Sequence, residues 1–502
     1  MNNILRLIGS ALFLAMGGCA AGPNFQQPLV SAPQSYVPTP LPSGTASAPG
    51  IGGAAQRFVQ GQEVQAQWWT VFGSPALNEL VMAALQANPD LQAAEAALRA
   101  ARSTVAAQRG AYWPGVDAGV NTNREKVAGP VSGPLDDGDV KLYTLHTAQL
   151  SIGYVPDVFG ANRRQVEALS AEADVQRFQR EAVYMTLVSN VVGAAIEEAN
   201  LRGQIAATRD LISLSARLLD VTRRQYNAGQ VGGVDVVAQE AALARVQVTL
   251  PPLEKQLAEQ RNLLATLIGR LPGEGVPQRF ELASLSLPEE LPLSLSSRLV
   301  EQRPDIRAAE AQLHVASALV GVAAAARLPS FTLTASLGRS SLDFSQMLRN
   351  GGAFWTVGAD LFQPVFRGRM LRLRQRAAEA AFDQAAAQYR STVLTAFQNT
   401  ADALQAIVSD AETLRAASAA EAAARRSLTM TQRSRELGAA SQVELIVAQQ
   451  NYQEAATALV QAQANRFTST VALFHALGGG WWHSRSETDA VPTAGDQSLR
   501  LH

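Results

Sequence analysis

From Phe331 to Gly338 apolar and small polar residues alternate: Phe331, Leu333, Ala335 and Leu337 on one side, Thr332, Thr334, Ser336 and Gly338 on the other. A period of two is that of a strand with one apolar face. Just upstream, Pro304 suits the first position of a helix and Asp305 the positive end of its dipole, and Pro329 stops the Ala-rich run that follows. The same order occurs once before. Asn88, Pro89 and Asp90 open a helical stretch that closes at Trp113 and Pro114; Val116, Ala118 and Val120 then alternate with Asp117, Gly119 and Asn121. Pro89 to Pro304 and Pro114 to Pro329 are the same shift of 215 residues, so the pattern is an internal duplication.

Each copy continues alike. Loops at 129–138 and 340–352 lead into return strands. In one, Ala148, Leu150, Ile152 and Tyr154 oppose Thr147, Gln149 and Ser151; in the other, Trp355, Val357, Ala359 and Leu361 oppose Thr356, Gly358 and Asp360. Strands of about ten residues with one apolar face fit a transmembrane barrel, and a soluble hairpin packed on helices is the alternative that alternation leaves open. Residues 160–227 and 368–437 then contain no proline and predict helices that would each span roughly 100 Å. Phe397, Thr400, Leu404, Ile407, Ala411 and Leu414 have the spacing of a coiled-coil seam. Both helices turn at glycine, at Gly229 with Gly232 and Gly233, and at Gly438. Second helices return over about 234–268 and 443–477, the first interrupted by Pro251 and Pro252. Two copies supply four strands, and the smallest membrane barrels have about eight. The sheet edges must pair with other subunits, and three chains would supply twelve strands.

Composition narrows the classes. The 502 residues carry 42 Lys+Arg against 43 Asp+Glu, a net charge of −1, so no electrostatic case exists for nucleic acid. Mean hydropathy is about zero and no internal apolar run reaches the roughly 18 to 20 residues of a spanning helix, which leaves strands to cross any membrane. The single cysteine, Cys19, follows Arg6, an apolar run and Gly17-Gly18, the form of a bacterial lipoprotein signal cleaved before a lipidated cysteine. Met16 stands where leucine is usual, and an ordinary signal with an incidental cysteine is the alternative. Ala20, rather than an aspartate, after the cysteine points to sorting to the outer membrane. Several acyl chains would anchor the N-terminus firmly.

The expected organisation is a signal peptide at 1–18, an extended lead at 19–66, a first repeat at 67–270, a proline-rich connector at 271–293, a second repeat at 294–477 and a mobile tail at 478–502. Nothing here resembles catalytic chemistry. His146, His314, His475, His483 and His502 are scattered, with no metal-ligand spacing, and neither a phosphate-cradling loop nor a nucleophile elbow is present. The charges around the two turns invite a sharper reading. Arg223 and Arg224 precede the first and Asp235 follows it; Arg433 and Arg435 precede the second and Glu444 follows it. The acids either cap helix starts or join ionic links that hold the helical tip closed. An exposed pair contributes only about 0 to 1 kcal/mol, so a latch would need several.

Arg303-Pro304-Asp305-Ile306 with Ala309 and Glu310, then Gly321, Ala323, Ala325 and Leu328-Pro329-Ser330, resembles the outer-membrane efflux protein family. Residues 19–25 and Trp68-Trp69 with Phe72 and Leu77 are similar to its NodT-type lipoprotein branch, and the likeness covers about 19–479. The resemblance implies a mainly α protein with a membrane β-barrel. Its duplicated helix, β-hairpin and long helical hairpin would trimerise into a twelve-stranded barrel with a periplasmic helical tunnel. It implies a passive efflux duct, not an enzyme, lipid-anchored in the bacterial outer membrane through diacylglycerol and an N-acyl chain on Cys19, with no other cofactor and no metal. Implied partners are a periplasmic adaptor, seated at turns such as those of Gly229, Gly232 and Gly438, an inner-membrane transporter of RND type, and outer-membrane lipid. The connector at 271–293 would join a belt around the tunnel. The rival class is a periplasmic adaptor or structural coiled-coil lipoprotein, which would more naturally carry one hairpin between soluble β-domains.

Overall fold

A computed structural model describes residues 20–28, 35–127, 141–347 and 352–483. The expected signal peptide, Cys19 and the loop at 129–138 lie outside the described residues. The chain divides into two compact units, one made of Met1–Pro28, Ala97–Gln176 and Ala309–Tyr389, the other of Leu29–Ala96, Arg177–Ala308 and Arg390–His502.

The helices are α1 (Pro75–Ala87), α2 (Pro89–Arg109), α3 (Ala161–Asn227), α4 (Gly233–Gln247), α5 (Leu250–Leu267), α6 (Ser296–Gln302), α7 (Pro304–Ala325), α8 (Met370–Glu436) and α9 (Gln442–Ala476). The strands are β1 (Arg57–Gln60), β2 (Gly115–Val127), β3 (Lys141–Tyr154), β4 (Glu290–Leu293), β5 (Ser330–Ser341) and β6 (Gly352–Phe362).

The first unit holds an antiparallel sheet in the order β2-β3-β5-β6. Each strand runs a few residues longer than the expected 116–124, 144–154, 331–337 and 353–361, because the ladder continues into positions such as Lys126↔Leu142 and Ser340↔Gly352. In the turn after β3 Pro156 is followed by Asp157, whose carboxylate accepts from the backbone N–H of Asn162 (3.0 Å) and Arg163 (2.7 Å) and so starts α3. The lead is not loose here. Gly22, with φ +86°, crosses α7 at Gly321 so closely that a Cβ on Gly22 would lie 2.4 Å from the Gly321 Cα. The buried Arg164 guanidinium donates to the carbonyls of Ala21 and Gly22, to Asn24 Oδ1 and to Glu167. Glu167 also meets His314 Nε2 at 2.9 Å, and Phe25 stacks on the His314 ring. By length and composition α7 could pass for a membrane span. Its apolar positions instead pack inside the protein, Leu313 and Ala316 against Phe25, Ala385 and Phe382.

The second unit holds the large core. Trp68, Trp69 and Phe72 form a 3-10 turn, fully buried with Phe280, Phe467 and Phe474, and Trp68 stacks on Phe474. The seam is buried as its spacing requires: Thr400, Leu404, Ile407, Ala411 and Leu414 are all sealed, with Phe397 at its margin. Asn88 links α1 to α2 by accepting from the N–H of Asp90 and Leu91 while its amide donates to the Leu267 carbonyl. At the matching start of α7, buried Arg303 pairs with Asp305 at 2.6 Å and donates to the Ala476 carbonyl. Asp305 therefore neutralises a buried guanidinium as well as favouring the helix dipole.

Two segments differ from expectation, and the expected interruption of the first returning helix takes a definite form. The lead contributes β1, which pairs in parallel with β4 of the connector; a four-residue strand whose partner is more than 200 positions away has no periodicity to betray it. The first returning helix is two helices, α4 and α5, because Pro251 and Pro252 belong to the first turn of α5, where a missing N–H costs nothing. The start of the expected mobile tail is built in: Gly478, Gly479 and Gly480 are buried with positive φ, Trp481 Nε1 donates to the Gln302 carbonyl at 2.7 Å, and its ring packs edge-on against Phe178. Residues 484–502 lie outside the described residues.

Candidate functional site: a two-faced sheet and paired helical turns

Over the rows nearest the helices, the register of the four strands sorts most side chains by polarity. One face carries the rows Val116, Ile152, Ala335, Val357 and Ala118, Leu150, Leu337, Trp355. The other carries Asp117, Ser151, Ser336, Thr356 and Gly119, Gln149, Gly338, Phe354. In the protomer Trp355 is 74% exposed and Val357 71%, so nothing among the described residues covers this apolar face, a face suited to lipid. The polar face is left for water. The sheet has two edges, β2 and β6, whose outer ladder groups have no partner strand among the described residues.

The helical turns of the second unit are near copies. Gly229 has φ +73° and its N–H donates to the Tyr226 carbonyl, while Gln230 donates to Gln225. Gly438 has φ +76°, its N–H donates to Arg435, and Ala439 donates to Ser434. Both are Schellman caps, which need a left-handed residue at this position. Each return then begins on an acid. Asp235 accepts from the N–H of Gly232 at 3.2 Å, and Glu444 accepts from the N–H of Ser441 at 2.6 Å. Ser441 completes its box by accepting from the Glu444 N–H through Oγ at 3.2 Å, which Gly232, without a side chain, cannot do. Hydrogen bonds from Ser441 hold the exposed Glu444 carboxyl below its usual range, the backbone N–H most of all and the side chain after it.

Within the protomer, then, both acids cap, and neither pairs with the arginines singled out beside them. Arg223 reaches Glu240 at 2.7 Å and Arg224 reaches Asp220 at 2.8 Å. Arg435 donates to the Ala440 carbonyl at 3.4 Å, and no described ion pair involves Arg433. Sequence reasoning missed Glu240 and Asp220, although Asp220 lies one helical turn before Arg224, a spacing that could have revealed it. It also missed a buried amide pair between the two returns, Gln442 Nε2 donating to Gln239 Oε1 at 2.6 Å. His146 bonds Thr122 Oγ1 across the strands at 2.8 Å, and among the described residues no cluster of His, Cys, Asp or Glu is arranged to hold a metal.

Comparison with known proteins agrees with this architecture. The family model described as "Outer membrane efflux protein" matches residues 80–270 and 295–479, and the chain belongs to that family. The two matched blocks fall one in each copy of the duplication. The chain is 30% identical over 452 residues to "Pyoverdine export outer membrane protein OpmQ" of Pseudomonas aeruginosa, covering 89% of this chain and 94% of the relative. It is 28% identical over 488 residues to "Antibiotic efflux pump outer membrane protein ArpC" of Pseudomonas putida, covering 97% of each. Among solved structures the outer-membrane channel OprN superposes with a TM-score of 0.81 at 26% identity, over 92% of this chain and all of that one. The Campylobacter jejuni CmeC channel, at 22% identity and a TM-score of 0.82 over 93% of this chain and 96% of that one, shares the fold. The fold is that of the trimeric outer-membrane efflux channels. The protein is an efflux channel of the outer membrane, a transporter and not an enzyme, of a family that works with an adaptor and an inner-membrane pump.

Proposed function

We propose that three copies of this chain close a twelve-stranded barrel through which small organic molecules leave passively, and that the turns at Gly229 and Gly438 form a periplasmic tip that is shut at rest. The observation that carries this reading is the sheet itself, with four strands, two open edges, one apolar and one polar face. In hydrocarbon each unpaired backbone group costs several kcal/mol, and closure with neighbouring copies removes that cost. The adaptor docks on the tip turns around Gly229, Gly232 and Gly438. The pump is of RND type, a reading supported by the family resemblance, and Cys19 carries the lipid, supported by the signal before it. Charges at the tip, repeated three times, supply a latch in addition to the caps of Asp235 and Glu444.

Planar-bilayer conductance tests this directly. Wild-type protein is expected to open rarely, and an Asp235→Ala/Glu444→Ala double mutant more often. Equal openings would reduce both acids to caps alone. Absence of conductance, together with a lack of heat-modifiable migration on gels, would replace the duct with the adaptor reading.

A further inference from the structure

The root of the four-stranded sheet, where strands give way to helices, holds an apolar cleft that conduction does not use. It lies among the joints from β3 to α3, from α7 to β5 and from β6 to α8, with a volume of about 300 Å³. Val155, Val158, Leu328 and Phe362 line it and are exposed in the protomer. Polar side chains on its wall are already engaged. Asp157 caps α3, Ser330 Oγ donates to the Phe362 carbonyl at 3.4 Å, and the Arg367 guanidinium lies over the Phe362 ring. The cleft is therefore suited to an apolar ligand.

The course of the lead points to the ligand. Phe25 stacks on His314 and Gly22 crosses Gly321. Between these contacts three residues of lead, about 10 Å when extended, match seven residues of α7, about 10.5 Å. The lead thus runs along α7 toward the sheet. One further step of three residues takes the chain from Gly22 to Cys19, and the matching seven take α7 from Gly321 to the level of Leu328, on the cleft wall. Ala20 lies beside that wall: its Cα is 3.0 Å from where a Cβ on Gly160 would stand, and the Ala21 N–H donates to the Phe159 carbonyl at 3.0 Å. Phe159 and Ala161, on either side of Gly160, both line the cleft. We infer that one acyl chain carried by Cys19 lies in this cleft, packed on the joints between sheet and helices, while the remaining chains enter the bilayer. The inference rests on the proposal above that Cys19 carries lipid.

The test uses the full-length protein, made in bacteria fed a fatty acid with a diazirine at mid-chain and irradiated in the outer membrane. Peptides joined to the N-terminal lipopeptide are then mapped by mass spectrometry. The label is expected on residues 155–161 and 325–331, and not on Val116, Val357 or Trp355 of the exposed apolar rows. Ala326→Trp fills the cleft from an exposed position on its wall. It should lower that labelling roughly tenfold, because the chain is then tethered but no longer held. The wild-type map decides the matter even if that variant fails to assemble. Lipopeptide label on the apolar rows in place of the cleft would overturn the inference, as would cleft labelling that Ala326→Trp leaves unchanged. Membrane phospholipid joined to the cleft, recognised by its mass, would make this a site for bulk lipid and overturn it too. A mature N-terminus whose mass includes no acyl chain would instead sink the lipidation of Cys19 itself.

Discussion

The two copies of the duplication turn in the same way but return differently. After Gly438 the chain runs through a complete capping box into α9, 35 residues without a break. After Gly229 it runs through half a box into α4, only 15 residues long, stops at Val248 and Thr249, and restarts as α5 on two prolines. A helix interrupted in mid-course loses backbone hydrogen bonds at the gap and can bend there, whereas an intact one transmits displacement along its length. The second copy is therefore the stiffer strut and the first the more yielding one. Duplication supplied the architecture, and divergence at a handful of positions gave its halves different mechanics.

The largest test of that contrast imposes the first copy's break on the second. The shift of 209 residues from Gly229 to Gly438 carries Pro251 and Pro252 onto Val460 and Gln461, deep inside α9. Val460→Pro/Gln461→Pro is expected to destabilise by about 3 kcal/mol or more, read from thermal unfolding by circular dichroism. Pro251→Ala/Pro252→Ala should change stability far less, since those prolines occupy a helix start. Next come the glycines. A Cβ at Gly229 or Gly438 would touch nothing within 4 Å, so Gly→Ala costs only the left-handed backbone, about 1 to 2 kcal/mol. That cost should be equal in the two turns, and unequal melting of the two variants would show that the turns themselves have diverged.

The caps differ by one hydroxyl. Ser441→Ala should cost about 1 kcal/mol, and Gly232→Ser should gain a few tenths, both measured by denaturant unfolding. The smallest effect is on pH. The folded Glu444 carboxyl is held below its ordinary value of 4.5. Its contribution is thus whole above that value and is lost as pH falls through the lower folded one. The stability of wild type minus that of Glu444→Gln should shrink over that acid window, and a constant difference would remove Glu444 from the cap.

Much of this was legible in the chain because it is periodic. The alternation at 331–337, the seam from Phe397 to Leu414, the repeated prolines and the turn glycines are all local signals, and each element formed where its period pointed. The candidate charges were legible as helix-start acids, but their true neighbours were not, since Arg223 finds Glu240 only after the chain has turned back. What stayed hidden is non-local: β1 on β4, Gly22 against Gly321, Trp481 on Phe178. Short contacts between distant residues need no pattern in either partner, so none is left to read.

The unmatched edges of β2 and β6 bear on how such a protein comes to be where it is. A solitary chain entering the bilayer would drag two rows of thirsty amides and carbonyls into oil. A copy with both edges unpaired is therefore the least favourable form in the bilayer, and each neighbour that pairs with an edge lowers that cost. The hydrocarbon thus selects for paired edges.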